Sequence, residues 1–221
     1  SLIFKKTEVW KFLFVLNYLE IIGVISKQLD ILILGAFRPH EDVGYYRIAR
    51  SLANGVGNFV GPLQSVLYQR LEQFVSRSGL TMAFQTGIQS GLRAGTPFAI
   101  LVIGSIFVLQ WIIPQVYGPE FSDAIFPAKL LVLGSAVWVG FFWLKPTYFA
   151  TDKITIWAKV TTIMVLALLI GTLIIVPKYG VNGLALWLCF IQSLGHVILF
   201  FIIWKSMRNF QPTHNKTETP S

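Results

Sequence analysis

Six apolar segments, each long enough to cross a bilayer as a helix, decide most of what this chain can fold into. They run over about 10–34, 44–69, 84–113, 124–148, 155–176 and 181–204. A hydrocarbon core about 30 Å thick takes roughly 20 residues of helix. Lipid offers no partner to a free backbone group, so such segments must be helices or a closed barrel. Runs this long, without strict alternation of apolar and polar residues, select helices. Composition agrees. The 221 residues are 54% hydrophobic and 13% charged, where a soluble domain carries about 25% charged residues. The expected fold is therefore an all-α membrane bundle of six transmembrane helices over residues 1–205. A polar, disordered cytoplasmic tail is expected over 206–221.

The joints between segments carry turn formers. Arg38-Pro39-His40-Glu41-Asp42 joins the first two, Arg70 to Thr81 the next, and Pro114 to Asp123 the third and fourth. Asp152-Lys153 and Pro177-Lys178-Tyr179-Gly180 close the series. One set of joints and ends holds Lys5, Lys6, Lys11, Arg70, Arg77, Lys153, Lys159, Lys205, Arg208 and Lys216. The other holds only Arg38, Lys129 and Lys178. Basic residues gather on the cytoplasmic side, so both ends of this chain are expected there, in the inner (plasma) membrane. An even number of spans agrees. The net charge of +8 is explained by this topology, and no nucleic-acid partner is expected. Cys189 stands alone in an apolar run and reads as a small hydrophobe. Ser1 opens the sequence with no cleavable signal before the first span, which reads as a fragment or a processed chain. Trp10, Trp111, Trp157 and Trp204 fall near the expected interfaces, as belt residues do.

Ionisable groups inside spans cost about 2.5–3.5 kcal/mol each on insertion scales and mark cavities or pairs. In the first span Glu20, Gly23, Lys27 and Asp30 recur at spacings of three, four and three, which reads as one helical stripe. Lys27 and Asp30 are expected to pair. The stripe is either a structural ion pair between helices or a cavity site for a cation, a proton or a substrate group. In the second span Arg47, Arg50, Asn54, Asn58, Gly61 and Ser65 form a second stripe. Two guanidinium forks at one end suit a phosphate or pyrophosphate, and the asparagines suit sugar hydroxyls or water. The plainer reading has both arginines snorkelling to headgroups and the asparagines bonding neighbouring helices. Gln85, Gln89, Arg93 and Thr96 share a face of the third span, with Arg93 lining a vestibule or snorkelling, and Pro97 is expected to kink the helix. His196 reads as a helix-to-helix contact or a proton relay. Gly57 and Gly61 make a small-xxx-small pair that permits close helix approach.

No enzyme is expected. The sequence has no phosphate-binding Gly-rich loop ending in Lys-Ser/Thr and no H-E-x-x-H. It has no metal-spaced His/Cys cluster, and no Ser-His-carboxylate set is expected to assemble.

Several local patterns add up in order along the chain. They are Lys27-Gln28-Leu29-Asp30-Ile31-Leu32-Ile33-Leu34-Gly35, then Glu41-Asp42-Val43-Gly44-Tyr45-Tyr46 with Ala49. Tyr117-Gly118-Pro119-Glu120-Phe121-Ser122-Asp123-Ala124 and Pro177-Lys178-Tyr179-Gly180-Val181-Asn182-Gly183-Leu184-Ala185 follow. Over about residues 10–205 the set resembles the C-terminal lobe of bacterial polysaccharide-biosynthesis flippases. These O-antigen-type exporters belong to the superfamily that also holds multidrug/toxin extruders. The resemblance implies a lobe of six helices that works with a second lobe around a central cavity. It implies translocation of a polyprenyl-pyrophosphate-linked oligosaccharide by alternating access, without ATP or a bound cofactor, and with a coupling cation or proton. The position of Asp30 and the cationic stripe of the second span match the family's cavity-facing side. From the stripes themselves, Arg47, Arg50, Asn54, Asn58, Ser65 and Lys27 are substrate-cavity candidates and Asp30 and Glu20 ion-coupling candidates. Arg93 and His196 are secondary candidates. The chain departs from the family in holding one lobe, so a preceding lobe or a second copy is implied as a partner, beside membrane lipids and other glycan-assembly proteins. The alternatives are a multidrug exporter of the same fold, a non-catalytic subunit of a glycan-assembly complex, and a membrane-embedded glycan polymerase or ligase.

Overall fold

A computed structural model describes residues 6–78 and 80–208. Lys5, Lys216 and the expected tail beyond Arg208 lie outside the described residues. The described chain is all-α, with no strand among the described residues. Its elements are α1 (Lys6–Phe37), α2 (His40–Ser78), α3 (Leu80–Ser90), a π-helical turn (Gly91–Gly95), α4 (Thr96–Ser105) and α5 (Leu109–Tyr117). A 3-10 turn (Pro119–Ala124), α6 (Ile125–Gly140), α7 (Leu144–Ala150) and α8 (Ile154–Arg208) complete it.

α1 stops at Phe37 because Pro39 disfavours helix in the residue before it. α2 restarts at once, with Glu41 and Asp42 in its first turn, where acidic groups suit the helix dipole. Arg38 Nε donates to Asp42 Oδ2 at 2.8 Å across the joint. The sequence predicts a loop over 70–81, but α2 stays helical to Ser78. Leu, Glu and Gln are good helix formers, and Leu71 is buried on the same seam as Val60 and Leu67.

The third segment is bent, though not where Pro97 predicts. The π-helical turn lies just ahead of Pro97, and there Thr96 N–H reaches back to the Gly91 carbonyl. The 60° bend falls later, between Phe84–Ser105 and Leu109–Tyr117. Close packing explains the wide turn. A Cβ at Gly91 would overlap the Trp143 ring, one at Gly87 would stand 2.7 Å from Thr147 Oγ1, and one at Gly95 would stand 3.0 Å from the Gly140 carbonyl. Three glycines four residues apart thus let this segment lie directly on α6 and α7.

α6 is the central helix. Ala128, Leu131, Val132, Ala136 and Val139 are all buried, and it packs against α2, α4 and α8. Ser135 Oγ bonds the Ala53 carbonyl of α2 at 3.3 Å and its own Leu131 carbonyl at 3.1 Å. At the break before α7, Gln64 Nε2 donates to the Phe142 carbonyl at 3.1 Å. Tyr148 then donates to the Leu199 carbonyl at 2.8 Å.

α8 has 55 residues, which would span about 80 Å if straight. It is not straight. Gly180 adopts φ +59° and ψ −146°, a combination only glycine takes readily, and the chain folds back there. Trp187 Nε1 donates to the Leu168 carbonyl at 3.2 Å, and a Cβ on Gly195 would stand 3.2 Å from Met164. Residues 154–179 and 181–208 are therefore two antiparallel arms, as the turn at Pro177–Gly180 predicts.

Among the described residues, Pro119–Ala150 and Ile154–Ser206 are long and apolar enough to cross a membrane. Phe84–Ser105 with Leu109–Tyr117 makes a third if the bent pair counts as one span. By length and composition the count is thus two to three, where the sequence reading expects six. α1 and α2 fall outside it, since α1 carries Glu20, Lys27 and Asp30 and α2 carries a long polar row. Trp10, Trp111 and Trp204 are exposed, whereas Trp157 packs on Tyr148 at 5.6 Å and on Phe149 at 6.4 Å.

Candidate functional site

α2 positions five of the ten candidates: Arg47, Arg50, Asn54, Asn58 and Ser65. Its inward seam is Tyr46, Ala49, Ala53, Val60, Leu67 and Leu71, all buried. On the opposite side Arg47, Ser51, Asn54, Asn58, Gly61, Ser65 and Gln69 are exposed. These steps of three and four keep them on one line of the helix. From Arg47 to Gln69 the line rises about 33 Å, more than the roughly 30 Å of a hydrocarbon core. Beside it lies an apolar line of Phe59, Leu63, Val66 and Phe74, also exposed. One helix therefore presents three faces: a packed seam, a strip suited to lipid and a strip suited to water.

The two arginines of this helix have separate fates. Arg50 turns inward and pairs with Asp30 at 3.3 Å. Tyr46, one turn earlier on the same side, donates to Asp30 Oδ2 at 2.6 Å. The Ile31 backbone N–H donates to Oδ1 at 2.8 Å. Asp30 is 1% exposed, and its acceptors are occupied from both helices. Arg47 is exposed and takes part in neither ion pair found among the described residues.

This corrects the expected Lys27–Asp30 pair. Lys27 is exposed, as is Glu20, while Asp30 is buried. Three residues rotate a helix by about 300°, so Asp30 stands about 60° away from Lys27 around α1. Glu20 and Lys27, seven residues apart, stay nearly in line on the outer face. That offset turns Asp30 toward α2, whose Tyr46 and Arg50 reach it. The expected single stripe is really an outer line and one inward residue.

The remaining candidates sit apart. Asn54, Asn58 and Ser65 stay exposed on the row, and Ser65 Oγ bonds only its own Gly61 carbonyl. Gln85, Gln89, Arg93 and Thr96 are exposed along the third segment, so they form a second polar line as expected. His196 lies elsewhere, with Nδ1 2.7 Å from the Gln192 carbonyl and its ring stacked on Phe141 at 6.3 Å between centroids. A carbonyl only accepts, so Nδ1 carries the proton. Of the expected glycine pair, Gly57 faces Trp138, with 3.2 Å to a notional Cβ, and Gly61 faces open space.

Tyr46, Gln64 and Ser135 are polar anchors that the sequence reading does not single out. Tyr46 had a signal, its i, i+4 spacing to Arg50. Gln64 and Ser135 had none, because what they satisfy is a carbonyl on another helix. A separate polar cleft of about 600 Å³ lies where the joints of the chain meet, lined by Arg38, Asp42, Tyr45, Asp123, Lys129 and Asn182 among others. Among the described residues no three metal-ligating side chains gather.

No family model matches this chain, and no curated protein or solved structure matches it either.

Proposed function

We propose that this chain is one six-helix lobe of a membrane transporter that flips a lipid-linked oligosaccharide across the inner membrane by alternating access, with no enzymatic step of its own. The exposed polar row of α2 carries the reading. A row longer than the hydrocarbon is thick cannot face lipid without heavy cost, so it lines water or a facing body. A preceding lobe or a second copy would close the cavity, as in other transporters built from two repeats.

Six traverses are supported by how the ends sort. Arg38 sits against Gly180, and Arg38 borders the cleft that Asp123, Tyr179 and Val181 also line. At the far end Lys153 bonds Ser206 and lies over the Phe84 ring at 5.1 Å. α1, α2, the bent third segment, α6 with α7, and the two arms of α8 therefore alternate in direction. The end with Lys153 would be cytoplasmic by its basic residues.

In this reading Arg47, not Arg50, is the anion ligand for the carrier pyrophosphate. Asn54, Asn58 and Ser65 form the wet wall for the glycan. Asp30 with Tyr46 and Arg50 locks α1 to α2. Glu20 remains an exposed carboxylate of α1 for a coupling cation or proton, and Lys27 flanks it on the same line. In proteoliposomes of the native protein, Arg47→Gln should lower flipping of a fluorescent lipid-linked oligosaccharide about ten- to a hundredfold, the worth of one charge-assisted contact. Helical content should not change. A normal rate would reject the anion role.

A further inference from the structure

The first turns of α8 and the N-terminal half of α1 enclose a groove of about 480 Å³ that transport does not use. Its walls are Phe14, Val15, Ala158 and Ile163, with Tyr18, Thr155 and Thr162 beside them. Tyr18 and Thr162 hydroxyls bond each other at 3.0 Å and tie the two helices together. Their polar atoms are thereby satisfied, and the groove presents mainly carbon. Among the described residues Lys159 is the one ionic group that lines it, and no described carboxylate does. Lys159 is exposed and stands five residues into α8, just past the turn that holds Lys153.

We propose that this groove is a binding site for one anionic phospholipid of the surrounding membrane. An acyl chain lies between Phe14 and Ile163, and Lys159 takes the phosphate. Three observations select that occupant. An apolar concavity on a helix pair that the six-span reading sets against lipid is filled by acyl chains by default, and its volume of about 480 Å³ falls within the range of ordinary ligand sites. Its one charged lining residue among those described is a cation, Lys159, which favours an anionic headgroup. Basic pockets between membrane helices near the cytoplasmic surface recur as such sites. The placement also fits the basic residues at this end, where Lys153 precedes the first arm and Lys205 stands near the end of the second. The site is independent of the flipping reading, since none of its residues belongs to the polar row.

Native mass spectrometry on the full chain in neutral detergent tests the proposal. The probes are phosphatidylglycerol, phosphatidylcholine with the same acyl chains, and glycerol phosphate without chains. One phosphatidylglycerol should be retained at least tenfold more than phosphatidylcholine, and glycerol phosphate should not be retained. Lys159→Glu should erase the preference for the anionic lipid. Thr155→Trp, at an exposed wall position, should lower retention of both lipids. A photoactivatable phosphatidylglycerol should label peptides within 10–20 or 154–165. Equal retention of the two lipids by the unaltered chain would overturn the site, as would labelling elsewhere or retention that neither substitution changes. The comparison of lipids on the unaltered chain holds even if a variant fails to fold.

Discussion

Asp30 shows how much one side chain settles here. Its carboxyl group takes a tyrosine hydroxyl, a guanidinium and a backbone N–H, which makes a charge at 1% exposure tolerable. Breaking a buried pair from one side leaves the other charge uncompensated, at a cost of about 3–5 kcal/mol. Asp30→Ala should therefore unfold at markedly lower temperature, followed by circular dichroism in detergent. Lys27→Ala should leave the midpoint where it is. Equal losses from the two would return Lys27 to the pair. The importance of Asp30 was legible in the sequence, because a carboxylate between Leu29 and Ile31 needs a partner. Which partner was not, because spacing along one helix compares only residues of that helix. The 60° offset between Lys27 and Asp30 lies in the sequence and by itself still permits an i, i+3 pair. What displaces Lys27 is the Tyr46 and Arg50 of α2, which spacing along α1 does not show.

Among the elements, close packing falls on glycines that the small-xxx-small pattern alone does not rank. Gly91→Ala would drive a Cβ into Trp143, and overpacking of this kind costs about 1–3 kcal/mol. Gly61→Ala meets nothing within 4 Å and should be neutral or stabilising by up to about 1 kcal/mol, since alanine is the better helix former. Unfolding midpoints of the two variants, measured side by side, decide which glycine carries an interface. At Gly180 the backbone itself is the constraint, and Gly180→Ala should destabilise by about 1–3 kcal/mol through strain. The limits of α1, α6 to α7 and the two arms of α8 were readable from apolar run length and from Pro39, Asp152-Lys153 and Gly180. The helical stretch over 70–78 was not, because polar residues on the outer side of a helix look like a loop until the inner seam of Leu67 and Leu71 is seen. The bend near Ser105 had no proline or charge to announce it.

For the whole molecule, the question is which side of α2 meets water. Cys189 is the single cysteine, so a Cys189→Ala background permits clean labelling. Cysteines placed at Asn54, Asn58 and Ser65 should react with a membrane-impermeant maleimide in liposomes, while those at Phe59 and Val66 should not. Equal labelling of both lines would remove the water-facing row and with it the transport reading. The direct joint between α1 and α2 has a different kind of consequence, for how the protein is made. Only Arg38 and Pro39 separate the two helices, and Arg50 follows Asp30 by 20 residues. At ordinary rates of synthesis α1 is complete for on the order of seconds before its counter-charge emerges. For that interval Asp30 is a lone acid that lipid disfavours, so α1 does better to wait inside the insertion machinery than to partition alone. In the proposed six-span reading, the unit that enters the membrane is then the hairpin, and the ion pair sets the timing of its release.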